Sequence, residues 1–186
     1  MKLFVVALTL LVSSLRHQCS TAAKNAGIRF WRSGDGLPGP SMSFDVCLGT
    51  GTFEFQFKTF VKRALVLYQD DQGFSDYLEL TLQDGRIYLA FNLVQDWKNR
   101  RNWLFPRLFR SEKRYNDFEW HKVKIVRTWH ETSIYVDDES KTFESRGRST
   151  FESKLQVGGF SPERLAKLNE ISKQTAWKLY ATPFNK

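Results

Sequence analysis

At 186 residues the chain has the length of a single domain. Hydrophobic residues make up 41% and aromatic residues 15%, with 16 Phe and 6 Trp, which excludes global disorder. Only two cysteines stand against a formal charge of +8, which excludes a disulfide framework or a Cys/His metal cluster.

The first segment, "MKLFVVALTLLVSSLRHQCSTAA", places Lys2 ahead of an apolar run from Leu3 to Val12. Small residues come next, and Ser20-Thr21-Ala22 fits a small-x-small cleavage site. This is the pattern of a secretory leader over residues 1–22, and the run is too short to span a bilayer, which takes ~20 residues. Cleavage would remove Lys2 and Arg16, taking the formal charge from +8 to +6 (8 − 2). It would also remove Cys19 and leave Cys47 as a lone thiol, free or paired between chains. No Asn begins an Asn-x-Ser/Thr sequon, so no N-glycan is expected.

Beyond the leader the chain reads as strands. In "FEFQFKTF", Phe53, Phe55 and Phe57 alternate with Glu54, Gln56 and Lys58, the period of a half-buried strand. Ala64 to Gln69 is a continuous apolar strand. In "YLELTL", Leu78, Leu80 and Leu82 share one face, and Tyr77, Glu79 and Thr81 the other, with Glu79 expected in solvent. In "RIYLAFNL", Ile87, Leu89, Phe91 and Leu93 point inward. Asp84-Gly85 between these two strands predicts a type I′ hairpin, because both central residues of that turn need φ > 0. "WHKVKIVRTW" and "TSIYVDD" form another pair, with Val123, Ile125, Ile134 and Val136 inward, and "SKTFES" and "KLQVGGF" come after them. A helix starts near Ser161, an N-cap ahead of Pro162, with Leu165, Leu168 and Ile171 on one face. Many short antiparallel strands indicate an all-β sandwich with one short C-terminal helix. Residues 23–160 would form the sandwich, and residues 161–186 a helical insertion and a divergent tail. Gln95 to Asp117 breaks the strand pattern. It interleaves Lys98, Arg100, Arg101, Arg107, Arg110, Lys113 and Arg114 with Trp97, Trp103, Phe105 and Phe109.

The stretches "ALVLYQDDQGFSDYLELTLQDGRIYLAFNL", "NDFEWHKVKIVRTWHETSIYVDD" and "LQVGGFSPE" resemble the laminin-G-like family of laminins, neurexins and sex-hormone-binding globulin. The V-G-G followed by a Pro-Glu-Leu helical segment is most similar to the neurexin type, in the first such domain of its long form. The resemblance covers roughly residues 27–173. It implies a jelly-roll-like, concanavalin-like sandwich, an extracellular adhesion module on the presynaptic surface with a protein ligand, and, in some members, a calcium ion. The family's last strand, of the type F-x-G-x-[IL]-x-x-V-x-x-N, has no match in "TAWKLYATPFNK". That departure leaves partner strands with open edges and implies a chain of marginal stability.

The resemblance also assigns a calcium site. Asp76 would supply the carboxylate, and the backbone carbonyls of Leu93 and Arg148 would complete the protein ligands, with Thr150 nearby. Calcium takes hard oxygen ligands, and one carboxylate implies weak binding, ~10⁻⁴–10⁻³ M. Arg146 and Arg148 lie beside this site in sequence and oppose a cation. An EF-hand is excluded, because "DDQGFSDYLE" lacks acids at alternating positions before the glycine.

The seven cations from Lys98 to Arg114 are candidate ligands for an extracellular polyanion, heparan sulfate. The alternative is a solvated loop whose aromatic side chains pack on the sandwich. The lectin-like, glycosaminoglycan-binding reading therefore stays open beside adhesion. Nucleic acid is not an expected partner of a secreted chain. No enzyme is expected: hydrolytic carboxylates must face one cleft ~5–10 Å apart, and Asp76 and Glu79, three apart on a strand, face opposite sides.

Overall fold

In the computed structural model, Phe53, Phe55 and Phe57 all point into one core, each no more than 2% exposed. Their alternation holds one face of β4 (Gly51–Thr59), whose intervening Glu54, Gln56 and Lys58 stay at the surface. The structure describes residues 3–9, 25–31, 42–45, 48–72, 76–92, 106–145 and 151–174.

Among the described residues the strands form two six-stranded antiparallel sheets. The first runs β11 (Glu139–Glu144), β10 (Glu131–Val136), β9 (His121–Arg127), β4, β1 (Leu3–Thr9) and β2 (Asn25–Trp31). The second runs β3 (Met42–Phe44), β12 (Leu155–Val157), β5 (Ala64–Asp70), β6 (Tyr77–Gln83), β7 (Arg86–Asn92) and β8 (Arg107–Arg110). Between them the phenylalanines of β4, with Val123, Ile125, Ile134 and Val136, meet Leu78, Leu80, Leu82, Ile87, Leu89 and Phe91 in one continuous core. The rings of Phe53 and Phe55 lie 5.5 Å apart and those of Phe55 and Phe57 6.4 Å, a tilted ladder down the sheet.

The hairpin forms as predicted. Asp84 has φ 52° and Gly85 φ 77°, both in the left-handed region a type I′ turn requires. Gly85 is fixed twice over. Its N–H donates to Lys62 O at 2.9 Å, and a Cβ there would meet Asn116 Oδ1 at 2.1 Å.

At three places the structure departs from expectation. Arg107–Arg110, within the stretch expected to be an insertion between strands, is edge strand β8, paired with β7 through Tyr88↔Arg110 and Leu89↔Phe109. Its four residues are too few, and too charged, to show a period in sequence. The segment Leu3–Thr9, expected to stand outside the fold as part of a leader, lies here as β1. It is paired with β2 from Leu3↔Trp31 to Thr9↔Asn25 and with β4 from Phe4↔Thr59 to Ala7↔Gln56. A short continuous apolar run is a pattern that a strand and a leader share. Third, Glu79 is half-buried rather than in open solvent, because the outer face of the second sheet is partly covered. Leu65, Tyr68 and Tyr77 form a small outer cluster with Ala90, Phe160 and Leu168 of helix α1 (Pro162–Gln174). Ser161 caps this helix as predicted, its Oγ accepting from Arg164 N at 3.2 Å. Leu168 packs as expected, while Leu93, Cys47 and the side chain of Ile171 lie outside the described residues.

Substituting Gly85→Ala is expected to lower the unfolding free energy by roughly 2 kcal/mol or more, because strain at positive φ adds to the clash with Asn116. Urea denaturation measures it, and an unchanged midpoint would contradict this turn.

Candidate functional site

The strands end in two rims. At one, β5 runs out into the acidic stretch Asp70-Asp71 and the chain re-enters at Asp76. All three are buried: Asp70 is 1% exposed, Asp71 5% and Asp76 3%. Buried carboxylates need hydrogen bonds or cations. Asp71 and Asp76 close the loop reciprocally. Asp71 N donates to Asp76 O at 3.0 Å, and Asp76 N donates to the Asp71 carboxylate at 2.9 Å.

Asp70 faces the helix. Its Oδ1 is ion-paired with Arg164 Nη2 and accepts from Gln72 N at 3.2 Å, while Oδ2 accepts from Tyr68 Oη at 3.1 Å. Its backbone is held as firmly: Asp70 O accepts from Glu152 N and Ser153 N, at 3.1 and 3.0 Å. Burial, then the Asp70 carboxylate, push the Tyr68 hydroxyl well above its ordinary pKa, so Tyr68 stays a donor. Lys167 Nζ adds a bond to Gln72 Oε1 at 2.9 Å. Helix α1 is thus pinned to the acidic rim by two side chains one turn apart. Arg164 and Lys167 stand at i, i+3 on one helix face, but the residues they meet are 94 and 95 positions earlier, so no local pattern announces the pair.

Glu79 lies under the same cover, between Tyr68 and Ala90 in the sheet register. Burial raises its pKa from 4.5 to about 7. On the core side of this rim Arg127, 3% exposed, donates from Nη1 to Leu48 O at 3.3 Å and stands over the Phe151 ring.

Of the three expected calcium ligands, Asp76 lies among the described residues. Asp76 sits buried at the rim with its backbone fixed. The last register pair beside it is Tyr77↔Asn92, the residues adjoining Asp76 and Leu93 in sequence. Leu93 and Arg148 lie outside the described residues. No group of three or more His, Cys, Asp or Glu side chains converges on a metal position among the described residues. A site with one carboxylate and carbonyl ligands does not need one.

Of the seven candidate cations, Lys98, Arg100 and Arg101 lie outside the described residues. Arg107 and Arg110 are exposed on edge strand β8, with Arg110 over the Tyr88 ring. Lys113 and Arg114 sit at the opposite rim and are already paired, Lys113 with Asp138 and Arg114 with Asp84, each at 2.6 Å. These four cations are thus divided between edge strand β8 and the rim into which it runs, where two of them are already paired. His121 is 8% exposed and stands between Asp137 and Asp117, each 2.8 Å from a ring nitrogen.

Two antiparallel sheets with a hydrophobic interior and loop-built rims define the jelly-roll-like class of binding sandwiches. The chain belongs to the laminin G domain family, whose model matches residues 57–176. It is similar to Neurexin-2 of Mus musculus, 33% identical over 165 residues, covering 86% of this chain and 9% of that protein. It is also similar to Neurexin 1 of Drosophila melanogaster, 34% identical over 111 residues, covering 60% of this chain and 5% of that one. The chain therefore spans less than a tenth of the length of these relatives. Among solved structures, domains LG4-5 of the mouse laminin alpha1 chain share the fold, with a TM-score of 0.50 and 22% identity over 66% of this chain and 32% of that chain. The protein is thus a neurexin-like laminin G domain.

Two outcomes test the rim. Arg164→Ala leaves Asp70 buried without its cation and is expected to cost ~3–5 kcal/mol, with Asp70→Asn/Arg164→Met recovering most of it in denaturant titration. The sign for Glu79 follows from its raised folded pKa. Between pH 4.5 and about 7 the folded state holds a proton that the unfolded state has lost, so stability falls as pH rises through this window. Glu79→Gln should therefore stabilise at pH 8, by at most ~3 kcal/mol, and change little at pH 4. Equal effects at both pH values would contradict the burial described.

Proposed function

We propose that this chain is an extracellular binding module acting in cell adhesion of the synaptic-recognition kind, with the Asp76 rim as its ligand-facing surface. Secretion through the residue 1–22 leader, whose cleavage would take β1 out of the first sheet, and capture of a cell-surface protein ligand belong to this reading. Calcium would be held weakly at the rim by the carboxylate of Asp76, with the backbone carbonyls of Leu93 and Arg148. The observation that carries it is a buried carboxylate-bearing residue at the mouth of a rim whose loop is closed by the Asp71–Asp76 bonds and backed by the pinned helix. These bonds hold Asp70, Asp71 and Asp76 in place, so a cation or partner does not have to order those residues first. The ion would neutralise the rim and bridge to oxygen ligands of the partner. Catalysis is not part of the proposal, and Glu79 lies on the face of the second sheet that carries the Tyr68 cluster.

Exposed Arg107 and Arg110 on β8 favour a second reading, a secreted, lectin-like protein that takes heparan sulfate along that edge. Elution from heparin at no more than physiological salt would count against it.

Calorimetric titration tests the leading reading. Wild type is expected to take up calcium with a Kd of ~10⁻⁴–10⁻³ M and Asp76→Ala none. An absence of heat from a folded wild type at millimolar calcium would sink the metal site. Equal capture of surface ligands by wild type and Asp76→Ala would sink the rim assignment.

A further inference from the structure

The rim opposite Asp76 carries a second surface. It lies ~20 Å away, the length of β5 at about 3.3 Å per residue. Here Phe60, 58% exposed, stacks on Phe118 with centroids 4.1 Å apart and planes 5° from parallel. Lys58 Nζ sits 4.5 Å from the Phe118 centroid, so a cation, a ring and an exposed ring stand in one column. Trp120, 47% exposed, stands two residues further along the chain.

This is not a loose loop. Phe118 holds φ 70°, a conformation bulky side chains avoid, and its N–H donates to Thr59 O at 3.1 Å. Asp117, beside it, accepts from Glu119 N at 2.9 Å and stands 2.8 Å from His121 Nε2. Tyr115 N donates to Gly85 O at 2.7 Å, so three loops are tied together. The backbone strain at half-buried Phe118 is kept by surrounding bonds, and it holds the ring on which exposed Phe60 stacks.

The charges of this rim are sorted. Asp84 is paired with Arg114 and Asp138 with Lys113, Asp117 and Asp137 flank His121, and Glu139 accepts from Glu112 N, Lys113 N and Tyr115 Oη. Lys58 beside the stacked rings, and Lys62 and Arg63 just after Phe60 in the chain, form no ion pair among the described residues, though Lys62 also acts on the Asp84 carboxylate, and Glu119 is one of the exposed acids of the rim. Satisfied acids beside available cations leave a positive, aromatic platform.

We propose that this platform docks an acidic segment of a partner protein that carries an aromatic side chain. The partner's ring lies on the open face of Phe60, and its carboxylates meet Lys58, Lys62 and Arg63. A protein segment fits better than a polysulfated chain or a lipid surface. The stacked rings offer area to a side chain, whereas a polysulfate needs an extended cation row, and a bilayer needs apolar side chains that project rather than lie stacked.

The test uses the full chain, isotopically labelled, with a synthetic pentapeptide of two acidic residues on each side of a tryptophan. Shift changes are expected at Phe60, Phe118, Trp120 and Lys58, with a Kd on the order of 10⁻⁴ M that weakens with salt. Phe60→Ala is expected to weaken binding at least tenfold, and Lys62→Glu/Arg63→Glu to abolish it, with melting midpoints near wild type. Shift mapping on wild type reads the site even if a variant does not fold. Binding of the amide peptide, with Asn and Gln for the acids, as tightly as the acidic one would overturn the proposal. So would shifts that map elsewhere, or a heparin oligosaccharide or anionic vesicle engaging Phe60 when the peptide does not.

Discussion

Everything in this domain hangs on two apolar faces that must be buried against each other. Phe53, Phe55 and Phe57 on one sheet, and Leu78, Leu80, Leu82, Ile87, Leu89 and Phe91 on the other, are almost wholly removed from water. At ~25 cal/mol per Å² of apolar area, this burial is the main favourable contribution to folding. It also leaves the polar work to the two rims, because a strand with its side chains committed to a core can present chemistry only at its ends.

The two rims are finished by different means. The Asp76 rim is closed by backbone–carboxylate reciprocity and capped by a helix held through Asp70 and Arg164. A buried ion pair contributes little net stability against an apolar alternative, since both charges are desolvated. Its value here is positional: it fixes where α1 sits over Tyr68, Tyr77 and Glu79. The opposite rim is fixed by loop-to-loop bonds around Gly85, Phe118 and His121, with Asp117 held below the usual carboxylate range by Glu119 N–H and by His121.

The core is legible in the sequence where period two is unbroken. The Phe stripe, the Leu stripe, the Asp-Gly turn and the Ser161 cap all stand where alternation and turn chemistry put them. Alternation misplaces Glu79 because it says only that a residue faces away from the core, not that something else covers it. Apolar Leu65, Tyr68 and Tyr77 on that outer face, with a downstream helix bearing Leu168, are the hint. The basic stretch misleads for a related reason. Lys113 and Arg114 look free in sequence, and their acids, Asp138 and Asp84, are 25 and 30 residues away. Asp76 stands out through the family resemblance rather than through any spacing, and Phe60 and Phe118 draw no notice because a stack between residues so far apart leaves no local pattern.

The core delivers Asp76 to the rim end of β6, and the calcium site proposed above depends on that placement. An anomalous difference map from crystals grown with calcium tests it most directly. The account predicts a peak about 2.3–2.6 Å from the Asp76 carboxylate. A peak confined to the Asp137–Glu139 turn, or none at saturating calcium, would contradict it.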